Sequence, residues 1–206
     1  ILLHYHSAEE EASRTRLEIE SVGRRVLSSQ ADLTDPEQIV SLVANIDSLA
    51  VLVNSAAFMP AGKTETLSIE NWDLSLDLNL RAPFLLAREC AARMPAGGLI
   101  VNITDVGAQK AWSRYPSYTV SKAALESLTR ILARALAPEI RVNAIAPGFV
   151  LQSEIVPAEE WERLIKRVPL KRPARTEEIA SALEFLLKNE YITGQTIVVD
   201  GGYSLI

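Results

Sequence analysis

Residues 49–53 read LAVLV, apolar at every position. A strand without polar alternation has to be covered on both faces. Sheets covered in that way are built from parallel strands joined by right-handed helical crossovers, so this short run constrains the architecture strongly. The rest of the chain keeps the same rhythm. ILLHYH (1–6) reads as a strand, and SAEEEASRTRLEIESVG (7–23) as a helix with an acidic first turn that ends at Gly23. RRVLSSQ reads as a strand, followed by a helix from about Asp35 with Pro36 in its first turn. Asn71 to Ala92 reads as one long helix, GLIVNIT (98–104) as a strand, and Ser113 to Ala137 as a second long helix. EIRVNAIA (139–146) is a strand closed by Pro147-Gly148; helical patterns near 158–167 and 176–188 precede a last strand, QTIVVD (195–200). With no linker, repeat or low-complexity tract, the expectation is one α/β domain over 1–206, a doubly wound parallel sheet with helices on both faces.

Composition narrows the function classes. The 206 residues are 48% hydrophobic and 23% charged, with a formal net charge of −5. That describes a globular chain with a sizeable core and no basic face for nucleic acid or a membrane surface. No apolar run is long enough to span a bilayer, and ILLHYHSAEEEA lacks the basic start and cleavage site of a signal peptide. The single cysteine, Cys90, lies in a helical pattern and reads as a buried inert thiol; the expected setting is reducing and cytoplasmic. His4 and His6 have no cysteine or third histidine beside them, so no metal site is expected.

Chemistry concentrates in VNITDVGAQKAWSRYPSYTVSK (101–122). Tyr118 and Lys122 stand one helical turn apart, on one face. An ammonium beside a phenol favours the phenolate and brings its pKa down toward working range. Alone, the pair is weak evidence, since an ordinary amphipathic helix produces such neighbours. Doubly wound, Rossmann-type folds bind dinucleotides through a glycine-rich first strand–helix turn. No G-x-G-x-x-G or G-x-x-x-G-x-G occurs, and the chain opens on what reads as the second strand. The expectation is a sequence that starts about thirty residues late, one strand–helix unit, with a sheet lacking a central strand and weak dinucleotide binding by the chain as written. A mass near 22.6 kDa for the purified natural protein would refute this.

Seven stretches in order, ADLTD (31–35), VLVNSAA (51–57), LNLRAPF (78–84), IVNITD (100–105), YTVSK (118–122), RVNAIAPG (141–148) and ITGQTIVVDGG (192–202), resemble the short-chain dehydrogenase/reductase family along the whole chain. The resemblance implies that Tyr118 donates the proton, that Lys122 binds the nicotinamide ribose and tunes Tyr118, and that Asn79 holds a water linking the lysine to solvent. It implies that Asn54, Ser55 and Ala56, in NSAA where the family usually has NNAG, run along the cofactor. Pro147, Gly148 and Val150 would line the nicotinamide, and Asp32 and Leu33 the adenine. A plain turn carboxylate is the alternative for Asp32.

The family's usual serine, thirteen residues before the tyrosine, is replaced by Asp105. An ionised carboxylate only accepts hydrogen bonds and would repel a ketone oxygen, so it suits a substrate that offers N–H groups or needs protonation at nitrogen. The chain is similar here to the pteridine reductase branch, as also in HYHS (4–7), Phe58, Tyr115 and VPLKR (168–172). That likeness implies a pterin stacked between Phe58 and the nicotinamide, with Asp105, Tyr115 and Tyr118 at the substrate, hydride delivered to a C=N carbon, and the proton coming from Tyr118 or Asp105. NSAAF is one residue shorter than the branch's turn, and Asp105 reads alternatively as a strand-end turn residue with Thr104 supplying the hydroxyl. His6-Ser7 at the second-strand position carry no acid, which leans toward NADPH over NAD, although the branch's arginine is absent there. Helices 71–92 and 113–137 are apolar on more than one face, and the family pairs them into dimers and tetramers, so a homo-oligomer is expected. Two other readings stay open: a general ketone or 3-oxoacyl reductase, and a catalytically silent scaffold or binding relative.

Overall fold

The computed structural model describes residues 1–152 and 156–206. Its strands are β1 (Leu2–Tyr5), β2 (Leu27–Gln30), β3 (Val51–Asn54), β4 (Gly98–Ile103), β5 (Ile140–Pro147) and β6 (Thr196–Val199), and every strand pair is parallel. The helices between them are α1 (Glu9–Ser21), α2 (Pro36–Ala44), α3 (Ile69–Leu76), α4 (Ala82–Ala91), α5 (Gly107–Lys110), α6 (Pro116–Ala135), α7 (Ala158–Arg167) and α8 (Thr176–Lys188). Local chemistry explains their starts. The Asp35 side chain accepts from the Glu37 N–H with Pro36 at the first helical position, and Ser68 caps α3 by accepting from the Asn71 N–H.

β4 is the strand covered on both faces. Ile100 packs with Ile39, Val43, Leu86 and Val142 on one side, while Leu99 and Val101 pack with Ile145, Ala182 and Leu186 on the other. Successive side chains of a strand point to opposite faces, so β4 and β5 form the centre of an α/β sandwich. β3 departs from the expectation for LAVLV, because Val53 is 40% exposed. The cause is topological. Among the described residues β1 pairs only with β2, and β3 only with β4, giving a two-stranded sheet and a four-stranded sheet ordered β3-β4-β5-β6. The free edges of β1 and β3 line a cleft of about 1140 Å³, walled by Leu3, Tyr5, Leu52 and Leu78 among others. The strands are thus divided between two sheets.

The long helix expected over 71–92 is continuous but not uniform. Between α3 and α4, residues Asp77–Arg81 form a π-helical turn that carries Asn79. A π-turn widens the helix by one residue and is common where a side chain must be aimed at a site. Cys90 is buried in α4, and burial pushes its thiol pKa up to about 11, in keeping with an inert thiol. No helix among the described residues is long and apolar enough to cross a membrane.

Candidate active site

Parallel sheets place their ligands beyond the carboxyl ends of the strands. Asn54 ends β3, Thr104 and Asp105 follow β4, and Pro147 ends β5 with Gly148 next, so four of the expected site residues, with Thr104 of the alternative reading, form a row along one rim of the sheet. α6 runs back from that rim and brings Tyr118 and Lys122 beneath it.

The two side chains are not coupled as a simple neighbouring pair would be. The Tyr118 hydroxyl donates to Asp105 Oδ2 at 2.8 Å, and the other carboxyl oxygen, Oδ1, accepts the Gly107 N–H at 2.6 Å. Lys122 Nζ donates to the Ile103 carbonyl at 2.7 Å and lies 5.7 Å from the centre of the Tyr118 ring. Burial, then the charge of Asp105 and its hydrogen bond, push the Tyr118 pKa upward. This reverses the expectation that the ammonium lowers it: the nearest charge to the hydroxyl is a carboxylate, which holds the phenol protonated. Burial also raises the Asp105 pKa, against the lowering effects of the Gly107 N–H, Tyr118 and Lys122. Lys122, only 2% exposed, is brought down to about 8 by burial, with Asp105 acting in the opposite direction. The result is a desolvated acid, phenol and amine with a proton at the Tyr118–Asp105 junction.

Asn79 is fully buried at the π-turn. Its Oδ1 accepts the Phe58 N–H at 2.8 Å, and its Nδ2 donates to the Phe58 carbonyl at 2.9 Å and to Ser121 Oγ at 2.9 Å. The side chain therefore fixes the loop after β3 against α6. Phe58 lines the cleft, with its backbone held by that clamp. Tyr115 sits just before α6 and meets Trp112 edge-on, 6.4 Å between ring centres. Thr104 does not replace the missing serine, because its buried hydroxyl donates to the Ile145 carbonyl at 3.2 Å.

His6, Asp32, Leu33, Asn54, Ser55 and Ala56 all border the same cleft, whereas Ser7, Pro147, Gly148, Val150 and the Asp105–Tyr118–Lys122 cluster lie outside its walls. Asp32 Oδ1 accepts from both the backbone N–H and the hydroxyl of Thr34, at 2.8 and 2.7 Å, so it closes a turn whatever else it does. Asn54 Nδ2 donates to Asn102 Oδ1 at 2.8 Å, while the buried Asn54 Oδ1 has no partner among the described residues. An orphaned buried acceptor at the cleft, with a lysine and a tyrosine farther along the rim, suits a ligand that carries donors and spans the carboxyl ends, as a dinucleotide does.

Sequence reasoning missed the supporting residues. Asn102 relays from Asn54 to Thr129, and Ser75 meets Ser117 at 2.9 Å between α3 and α6. A signal was available for the first, because Asn54 and Asn102 both follow apolar strand runs and pair in register.

Residues 1–204 match the family model described as enoyl-(acyl carrier protein) reductase. An NAD-dependent glycerol dehydrogenase from Listeria innocua is 35% identical over 88% of this chain and 76% of its own length. A 3-oxoacyl-[acyl-carrier-protein] reductase from Rickettsia bellii is 34% identical over 85% of this chain and 76% of its own. Among solved structures, the FolM alternative dihydrofolate reductase 1 from Brucella canis, complexed with NADP, is 35% identical with a TM-score of 0.92, covering 100% of this chain and 84% of that one. The parallel α/β sandwich, the Tyr118–Lys122 helix at the strand ends and these likenesses lead to one assignment: the chain belongs to the short-chain dehydrogenase/reductase family of NAD(P)-dependent oxidoreductases.

Proposed function

We propose that this protein reduces a pterin-like C=N bond with NADPH. The observation that carries the reading is the hydrogen bond from the Tyr118 hydroxyl to Asp105 Oδ2, in surroundings that raise the pKa of both groups. A carboxyl with a raised pKa beside a protonated phenol can pass a proton to a ring nitrogen, and accept N–H groups from the same ring. A ketone has no N–H group to offer the carboxyl. The likeness to the Brucella canis FolM alternative dihydrofolate reductase 1 supports the same substrate class, and its complex with NADP supports the cofactor.

When bound, the nicotinamide supplies hydride to the carbon of the C=N bond. Tyr118 gives the adjacent nitrogen its proton, and Asp105 Oδ2, hydrogen-bonded to that hydroxyl, orients the phenol and the ring. Lys122 holds the cofactor ribose, with Pro147, Gly148 and Val150 beside the nicotinamide. Asn54, Ser55 and Ala56 run along the cofactor, with His6, Ser7, Asp32 and Leu33 toward its adenosine end. Phe58 and Tyr115 flank the substrate ring, and Asn79 fixes the loop that carries Phe58. The functional unit is a homodimer or tetramer built on helices 71–92 and 113–137, which leave Phe84, Val120 and Ile131 exposed at 41, 46 and 62%.

The test is NADPH oxidation with a 7,8-dihydropterin beside a simple ketone, in wild type and Asp105→Ala. Turnover of the pterin, lost in the variant, is the expected result. Turnover of the ketone alone moves the protein to the carbonyl reductases, the reading that the Rickettsia bellii likeness favours. Silence with both substrates favours a binding or scaffold role.

A further inference from the structure

We propose that Lys110 and Tyr203 are positioning residues for Asp105: they lock the segment 203–206 onto α5 and so hold the Gly107 N–H against the Asp105 carboxyl. The inference rests on the reading of Asp105 given above. It begins with an element that should not be stable alone. α5 is a single turn of four residues, ended by Ala111 in the left-handed region at φ 48°. One helical turn costs more conformational freedom than its hydrogen bonds return. Yet this turn presents the N–H that lies 2.6 Å from Asp105 Oδ1.

What holds it comes from the far end of the sequence. Lys110 Nζ, on the last residue of α5, donates to the Tyr203 carbonyl at 3.0 Å and to the Ile206 carbonyl, and stands 4.6 Å over the Tyr203 ring. Tyr203 is buried, packing 4.8 Å from Phe149 and 6.4 Å from Trp112 between ring centres. Its own turn is rigid, because Asp200 accepts the Gly202 and Ser204 N–H groups at 2.9 and 2.6 Å. Trp112 in turn presses on Gly107 so closely that a Cβ there would lie 2.7 Å from the indole. Lys110 thus fixes one end of α5, and the Tyr203–Trp112 pair fixes the other. Neither residue touches the Tyr118 hydroxyl. The titratable groups that face the Asp105 carboxyl are Tyr118 and Lys122, both on α6.

A hydrogen bond to the ionised form of a carboxyl favours that form, so loosening the Gly107 N–H raises the proton affinity of Asp105. The experiment is a 13C titration of the Asp105 carboxyl in the ligand-free protein, for wild type, Lys110→Met, Tyr203→Leu and Lys110→Arg. Both loosening variants are expected to move the midpoint upward by about half a pH unit or more, with Lys110→Arg close to wild type. In the dihydropterin assay, kcat should fall in the loosening variants with the KM for NADPH unchanged. An unmoved midpoint in whichever loosening variant folds overturns the proposal and leaves the clamp a purely structural contact. Because the titration needs no substrate, a shifted midpoint in the variants with no pterin turnover by wild type refutes the substrate assignment and leaves the clamp standing.

Discussion

Lys122 is nearly fully buried, and its ammonium has one strong acceptor, the Ile103 carbonyl. With its pKa down from 10.5 to about 8, the folded protein binds this proton less tightly than the unfolded chain does. The sign follows from linkage. Between pH 8 and 10.5 the unfolded state carries more protons at this site, so stability rises with pH through that window, while below pH 8 the buried charge is a constant cost. For those two pKa values the gain between pH 7 and pH 10 is on the order of 2–3 kcal/mol. Replacement by methionine removes the titration and keeps the apolar stem. The assay is urea unfolding of wild type and Lys122→Met at pH 7, 8, 9 and 10. The difference in unfolding free energy between the two is expected to change by roughly 2–3 kcal/mol in favour of wild type across the range. Taking the difference cancels the groups that the substitution leaves alone, including the phenols that ionise near pH 10 in the unfolded chain. Parallel curves would refute the depressed pKa and mean that water or rearrangement relieves the buried charge.

Tyr118→Phe leaves the ring in place but removes the hydroxyl that bridges to Asp105, and should lower kcat by about 10²- to 10⁴-fold in the dihydropterin assay. Asn79→Ala frees the backbone N–H and carbonyl of Phe58 together with Ser121 Oγ; urea denaturation should show a loss of about 2–4 kcal/mol. Gly148→Ala would place a Cβ 2.8 Å from the Asp200 backbone, and thermal or urea unfolding should register a cost of about 1–3 kcal/mol. Analytical ultracentrifugation tests the oligomer: wild type should sediment as a dimer or larger, and Ile131→Glu, on the exposed face of α6, should shift it toward monomer.

Local pattern was enough for much of the fold. The strand–helix alternation, the helices at 158–167 and 176–188 and the Pro36 helix start were all readable, because hydrophobic period and capping residues act within a few positions. The spacing of Tyr118 and Lys122 on one helix face was readable for the same reason, as was the substitution of an acid thirteen residues upstream. Local pattern failed where distant segments decide. LAVLV looked covered on both faces, but β3 borders a cleft and Val53 meets solvent. The helix over 71–92 hid a π-turn, since nothing in its periodicity announces that Asn79 must reach the backbone of Phe58.

What the sequence by itself determined is the order and kind of the elements, and therefore which residues arrive at the carboxyl ends of the parallel strands. Only the tertiary structure decided where their hydrogen bonds go. Thr104 turns its hydroxyl to β5 rather than toward Tyr118, the Tyr118 hydroxyl donates a hydrogen bond to Asp105, and Lys110 reaches 93 residues along the chain to Tyr203. Periodicity assigns a side chain to a face, but the partner it finds there depends on how separate elements pack. A proton's affinity for its site depends on that partner and on the water excluded around it.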